Sequence, residues 1–403
     1  MLHLPIDRLT TDATSAHTHH SAWLDVDLDA LADNFRYISE QVAPAKLIAV
    51  VKAYGLGTGG LVAARKLEAL GAYMLAVSNF HEAAYLRRHG IASPLLVMNG
   101  LLPAQMEMAI KLDLRFFGFD EYSLRAADAA GRRADKRARL HLKVDTGLGR
   151  LGFLPEDAPA IRDLIGQLEW VDIEGIASQQ ATPIQAEHDW FTRQQYERLM
   201  SAADVIDPDH RLLRHFSSSN AVPRLPEVNA DAVRCQAIIW GYAHYLPLPW
   251  PLKPVASYKA RLVQVKDLPA GHNVGYNFRH TTTRPTRLGV VPIGVVDGMK
   301  AEHINGGQVL VRGRRCPVIG VCSCEMMVDV TGAEGAGAGD EVVLFGAQGD
   351  ETISAIEFGW MGKSSFMSVL ALISPRVPRV YWEGGRCVGS EIFCEPEEWE
   401  WQS

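Results

Sequence analysis

Residues 47–59, LIAVVKAYGLGTG, begin with five aliphatic side chains, pass to a lysine, Lys52, and end in a glycine-rich turn. A continuous apolar run of that length marks a strand buried on both faces, as in parallel sheets. Lys52 stands where one more aliphatic residue would extend the run. Desolvation disfavours an ammonium ion, so a lysine in this place loses basicity. A neutral amine is a nucleophile that forms an imine with a carbonyl. The same lysine also fits a plainer role, its stem along the strand end and its charge in water.

Outward from this strand, short apolar runs alternate with amphipathic stretches from Trp23 to about Pro254. The pattern predicts strands at 47–51, 73–77, 94–97, 114–118, 139–144, 170–176 and 212–216, with helices such as HEAAYLRRHG (81–90) and WFTRQQYERLMSAAD (190–204) between them. Such alternation indicates parallel βα units. Seven or eight units in this length fit a TIM-like (β/α)8 barrel better than an open doubly wound sheet. In a barrel the carboxyl ends of the strands line the active site, and Lys52 lies at such an end. After PLPWPLKP (247–254) the segments turn short, β-branched and glycine-punctuated, which predicts a mostly antiparallel β domain. The chain is therefore read as an extension over 1–21, a barrel over 22–254, a β domain over 255–381 and an acidic, Trp-containing tail over 382–403.

The 403 residues, 47% hydrophobic with a formal charge of −7, describe a globular protein of two domains. An acidic balance with no basic patch argues against nucleic acid as a partner. No apolar run approaches the roughly 18 to 20 residues needed to span a bilayer. The first twenty residues are polar and lack the apolar centre of a secretory signal, so a cytoplasmic protein is expected. Six cysteines are too few for a disulfide framework. Cys322 and Cys324 form a C-x-C, shorter than the usual zinc spacing, and no metal is assigned there.

Four further clusters fall at strand ends or in turns. HLKVDTGLGRLGF (141–153) runs from an alternating strand through an Asp-Thr-Gly turn to Arg150, a guanidinium suited to a carboxylate and equally at home on a surface loop. HFSSSNAVPR (215–224) ends a strand on three serines, fit for a phosphate or for a plain helix cap. AVRCQAIIWGY (232–242) sets Arg234 before an apolar run, where a buried guanidinium demands an acceptor. VGYNFRHTTTRP (274–285) places Tyr276 in a loop at the start of the β domain, a position where packing alone would also explain it.

Taken in order, these motifs and VPIGVVDG, MMVDVT, GDEVVLFG and SPRVPRVY resemble the alanine racemases, pyridoxal 5'-phosphate (PLP) enzymes with a barrel and a β domain. The opening AWLDVDLDALADNFR is similar to their start, and the resemblance covers roughly residues 22 to 381. It implies that Lys52 carries PLP and acts as one catalytic base. Tyr276 would be the opposite-face base, supplied by the partner subunit of a homodimer. Arg234 would face the pyridine nitrogen with His215 behind it, Ser219 would hold the phosphate, and Arg150 would meet the substrate carboxylate. Lys143 matches a lysine that is often carbamylated in these enzymes.

The departures from the family pattern gather in the pocket. Where the family reads K-A-N-A-Y-G-H-G, this chain reads K-A-Y-G-L-G-T-G. The ungapped alignment puts Leu56 in place of the phosphate tyrosine, and a two-residue shift would make Tyr54 that residue. The Met-Asp pair of the substrate site becomes Ser323-Cys324, the entrance tyrosine becomes Val295, and a second phosphate tyrosine falls at Phe366 or Met367. The histidine that neighbours the catalytic tyrosine falls at Gln179. Val295 and Ser323 are smaller than the residues they replace, and Cys324 is close to Asp in size. The resulting expectation is an amino-acid racemase for a substrate other or broader than alanine. A PLP-dependent decarboxylase or aldolase on the same scaffold is the alternative, and a PLP-carrying regulatory protein without turnover a third reading.

Overall fold

The computed structural model describes residues 20–243 and 250–392. The extension up to residue 19, part of the proline-rich stretch at 244–249 and the tail from 393, with Trp399 and Trp401, lie outside the described residues. The chain forms two compact units. One comprises Ala30–Gly55 and Gly60–Lys253, the other 1–29, 56–59 and 254–403.

The first strand, β1 (Ala22–Asp27), is followed by eight that make the first unit: β2 (Lys46–Val50), β3 (Met74–Val77), β4 (Leu95–Val97), β5 (Leu114–Gly118), β6 (Ala138–Lys143), β7 (Val171–Ala177), β8 (Leu213–Ser218) and β9 (Ala232–Cys235). β2 to β9 form a closed barrel in sequence order, and β2 pairs in parallel with β3 on one side and β9 on the other. The sequence pattern located every barrel strand except β9. That strand is four residues long and carries Arg234, so it lacks an aliphatic signature.

Side chains of a strand alternate between barrel interior and helical shell. Ile48, Val50, Met74, Ala76, Leu96, Phe117, Ala177 and Ala232 pack into one buried cluster, and burying each large aliphatic contributes about 1.5–3 kcal/mol. The same parity brings polar groups inward at the strand ends. Lys52 continues Ile48 and Val50, Lys143 follows His141, and Arg234 follows Ala232. Two of the helices between the strands start on side-chain caps. Asn79 accepts from the Glu82 N–H before Phe80–Arg88, and Asp120 from the Ser123 N–H before Glu121–Ala134.

The second unit is built on an eleven-stranded, mostly antiparallel sheet. The expected barrel boundary at residue 22 does not match it. β1 pairs antiparallel with β10 (Ala256–Arg261) and parallel with the strand Arg379–Glu383, so it is an inner strand of this sheet. Its AWLDVD pattern buries Trp23, Leu24 and Val26, which is enough to be read as a strand but cannot say which sheet it joins. The expected tail boundary at 382 shifts as well, because Arg379–Glu383 and Arg386–Glu391 extend the sheet as an antiparallel pair. Trp382 donates from its indole nitrogen to Asp25 at 2.8 Å.

Candidate active site

Lys52 follows β2, and the chain then does something L-residues resist. Ala53, Tyr54, Gly55 and Leu56 all take positive φ between 53° and 61°, a full left-handed turn. For a residue with a Cβ each such position costs about 1–2 kcal/mol, and only one of the four is glycine. Two side chains hold the turn. The Glu82 carboxylate accepts from the N–H of Ala53 at 2.7 Å and of Tyr54 at 3.4 Å through Oε1, and from Ser78 N–H at 2.8 Å and Oγ at 2.6 Å through Oε2. Gln236 donates its Nε2 to the Lys52 carbonyl at 2.8 Å. The Lys52 amine has neither hydrogen bond nor ion pair among the described residues. Burial and the charge of Arg150 hold it below the usual lysine range; Glu82 opposes that shift and Arg234 adds to it.

Arg234 is buried without a carboxylate. NH1 donates to His215 Nδ1 at 2.8 Å and to the His215 carbonyl at 2.9 Å. NH2 reaches the carbonyls of Ser178 and Phe216 at 2.6 and 3.2 Å and Gln179 Oε1 at 3.1 Å. The acceptor expected from sequence is thus a set of neutral oxygens and one imidazole nitrogen, and the Nε–H keeps no acceptor among the described residues. Burial brings the guanidinium down to about 10, so it stays charged at neutral pH.

Because arginine only donates, His215 Nδ1 is an acceptor and its proton sits on Nε2. That Nε2 lies 2.8 Å from His141 Nδ1, which fixes the His141 proton on Nε2 as well. Burial, then the charges of Arg115 and Arg234, push His141 down to about 3. Burial and Arg234 likewise hold His215 well below the ordinary histidine value. Both rings are neutral. Lys143, also on the inward face, is buried, and its ammonium nitrogen lies 5.5 Å from the centre of the Phe117 ring. Burial and the charges of Arg234 and Arg150 hold it well below the lysine range.

Two loops complete this end of the barrel. In the serine turn, Ser219 Oγ accepts from the Gln236 N–H at 3.0 Å, which ties the turn to the segment after β9. In DTGLGR, the Asp145 carboxylate accepts four consecutive N–H groups: Gly147 (3.0 Å), Leu148 (2.9 Å), Gly149 (3.1 Å) and Arg150 (2.7 Å). Burial alone would raise that carboxyl, and the four donors outweigh it and hold it below the ordinary value. The Arg150 backbone is fixed this way while its side chain stays exposed.

Hydrogen bonds thus join Lys52 to Ser219 through Gln236 and Arg234 to His215, with Arg150 and Arg234 in electrostatic reach of Lys52. Tyr54 lies in the left-handed turn, and Leu56 is fully buried. Gln179, expected beside Tyr276, is bonded to Arg234. Tyr276, Ser323 and Cys324 belong to the second unit. Tyr276 sits between the short strands Asn273–Val274 and His280–Thr281, 71% exposed, with Phe278 80% exposed next to it. Ser323 and Cys324 lie on an exposed turn between the strands Arg314–Val321 and Met326–Asp329. Phe366 is buried at the start of the helix Phe366–Ala371.

Sequence reading missed Glu82, Gln236, His141 and Asp145. His141 shared a strand face with Lys143 and Asp145 opened a glycine turn, so both carried a local signal. Glu82 is 29 residues from Ala53, and Gln236 is 184 from Lys52. No local pattern joins such pairs.

Comparisons with known proteins bear on the family and the fold. The model of the alanine racemase N-terminal domain matches residues 26–244, and that of the C-terminal domain matches residues 255–381. An alanine racemase of Symbiobacterium thermophilum is 37% identical over 364 residues, covering 89% of this chain and 96% of the relative. The alanine racemase of Clostridium difficile 630 superposes with a TM-score of 0.87 at 27% identity, covering 93% of this chain and 98% of that one. Alanine racemase from Bacillus anthracis, solved with bound L-Ala-P, superposes with a TM-score of 0.86 at 27% identity, covering 92% and 97%.

Proposed function

The chain belongs to the alanine racemase family, a family of PLP-dependent racemases, and on that premise we propose that it exchanges the α-proton of an amino acid between two bases, Lys52 and Tyr276. The observation that carries the proposal is the pair of donors at one end of the barrel. An unpaired amine with depressed basicity shares that end with a buried guanidinium whose Nε–H is unspent.

The residues present fit PLP. Lys52 would hold its aldehyde carbon, Arg234 its ring nitrogen through the Nε–H, and Ser219 its phosphate. The tyrosine that assists the phosphate in the family has Leu56 in its place, and Tyr54 is the hydroxyl we assign to that work instead. Bound there, PLP supplies an electron sink that makes the α-hydrogen of an amino acid acidic. Arg234 keeps its proton, since a guanidinium donates but does not share, and neutral His215 and His141 leave it no route away. Lys52, with its lowered basicity, takes and returns a proton on one face. Tyr276 does so on the other. Its exposure, with that of Phe278, supports a homodimer in which the partner covers this loop and each site takes its tyrosine from the other subunit. Arg150, on its rigid Asp145 loop, would orient the substrate carboxylate by two parallel hydrogen bonds. Burial lowers the basicity of Lys143 and so favours the neutral amine that adds carbon dioxide, and a carbamate there would give Arg150 an anionic partner.

The relatives are named for alanine. What supports a substrate other or broader than alanine is Val295, Ser323 and Cys324 where larger, acidic or hydroxyl-bearing side chains are usual. A cytoplasmic setting belongs to the same reading. Among the described residues no helix is long and apolar enough to cross a membrane.

Purified protein with PLP, incubated with each amino acid in deuterated solvent, tests the proposal. Deuterium at the α-carbon with loss of optical purity is expected for alanine or a larger amino acid. Carbon dioxide or aldehyde release without α-exchange would overturn it.

A further inference from the structure

The peptide between Lys52 and Ala53 is held from both edges. In a trans peptide the C=O and N–H point in opposite directions. Here the C=O of Lys52 accepts from Gln236 Nε2 at 2.8 Å, and the N–H of Ala53 donates to Glu82 Oε1 at 2.7 Å. Gln236 follows β9 and Glu82 lies on the helix after β3, and β9 and β3 are the two strands that flank β2. Each neighbour of the lysine strand therefore sends one side chain to the same peptide plane.

We propose that Glu82 and Gln236 are positioning residues that clamp this plane and so set the direction in which the Lys52 side chain leaves its strand. The clamp works against a backbone that resists it. Ala53, Tyr54 and Leu56 each hold a left-handed conformation that residues with a Cβ leave when released. The Lys52 carbonyl can only accept, so the Gln236 amide must turn its NH2 to it. The opposite oxygen, Oε1, is buried and has no protein partner among the described residues. The Gln236 N–H meanwhile fixes Ser219, so one residue sets both the lysine plane and the serine turn. A displacement of about 1 Å in a reacting group can cost on the order of a hundredfold in rate, which makes a plane gripped at both edges a determinant of turnover.

The inference rests on the reading of Lys52 as the cofactor-bearing base, so its test includes a readout that needs neither PLP nor turnover. In the full-length chain without PLP, amide exchange of the peptide containing residues 53–56 is followed by mass spectrometry for wild type, Glu82→Leu, Glu82→Gln and Gln236→Leu. Relative to wild type, Glu82→Leu is expected to exchange at least roughly tenfold faster, the worth of one charge-assisted hydrogen bond, and Gln236→Leu roughly threefold faster or more, the worth of a neutral one. Glu82→Gln keeps one acceptor and should fall between wild type and Glu82→Leu, and it carries the test if Glu82→Leu does not fold. With PLP, kcat should fall about tenfold or more in the same order while KM changes less than about twofold. Wild-type exchange rates at 53–56 in Glu82→Gln and Gln236→Leu would overturn the clamp, as would a rise in KM at unchanged kcat. Borohydride fixation of PLP on the Lys52 peptide of the wild type judges the proposed function separately. Its absence would sink that function while the exchange data still decide the clamp.

Discussion

The barrel end and the hairpin of the second unit hold the two proposed bases under opposite regimes. Around Lys52 most polar groups are buried or half-buried and bonded within their own chain: Arg234 to five acceptor atoms, Glu82 to four donors, Asp145 to four N–H groups. Tyr276 stands on a two-residue strand pair with most of its surface in solvent. The first base is preorganised by its own fold. The second is presented outward and gains its environment from whatever covers it. On the proposed reading, a catalyst that needs both is complete only as an assembly.

Removing the preorganised base should have the largest effect. Lys52→Ala is expected to lower racemisation by a factor on the order of 10⁴ or more, since it removes both the attachment point and a general base. Borohydride reduction should then leave no PLP on that peptide. Residual activity within about tenfold of wild type would mean the chemistry lies elsewhere.

Tyr276→Phe removes only a hydroxyl and should cost on the order of 10²–10³ in racemisation. Lys52 remains, so one enantiomer should still wash in solvent deuterium with its configuration retained. The two variants together sharpen the contrast between the regions. If each site joins Lys52 of one subunit to Tyr276 of the other, a mixed dimer has one intact site of two. Random exchange makes half of the dimers mixed, so an equal mixture should recover roughly a quarter of wild-type activity. No recovery after subunit exchange would place both bases in one chain.

A smaller effect separates the regions by pH. In the fold His141 is held down to about 3 and His215 well below its ordinary value, whereas in the unfolded chain each titrates near 6.5. Below that pH the unfolded chain takes up protons that the folded chain refuses. Stability is therefore full above about pH 6.5 and lost as the pH falls towards 3. At pH 5 the loss is about 2 kcal/mol for His141, with His215 adding in the same direction, readable as a lower urea midpoint. His141→Gln should make that slope shallower, and an unchanged slope would deny the neutral pair.

The smallest expected effect is chemical. Iodoacetamide on the folded protein should label exposed Cys324 first and leave Cys235, whose thiol burial pushes up to about 12, untouched until unfolding. Label on Cys235 before unfolding would show that the barrel opens.

What could be read in advance followed the range of the forces involved. Alternating apolar runs record burial, a property of a single strand, and Leu47–Val51 announced both the barrel and the odd position of Lys52. Arg234 was legible as a buried cation in want of an acceptor. Its partners were not, because Ser178, Gln179 and His215 reach it only once the barrel closes. Glu82 was hidden for the same reason. Its carboxylate looked like an ordinary first-turn acid on a helix, and only the left-handed turn across the neighbouring strand gives it other work. β1 shows the limit from the other side, since a strand's own pattern does not name its neighbours.

That strand also bears on the order of events as the chain leaves the ribosome. Apart from the β2–β9 closure, the barrel strands pair with the strand next in sequence, so β2 to β9 can assemble while synthesis continues. β1 emerges before all of them, yet its partners are Ala256–Arg261 and Arg379–Glu383. At about 5–20 residues per second, an apolar segment holding Trp23, Leu24 and Val26 waits on the order of tens of seconds with both edges unpaired. Among the described residues the earliest strand made is therefore among the last to find its sheet partners.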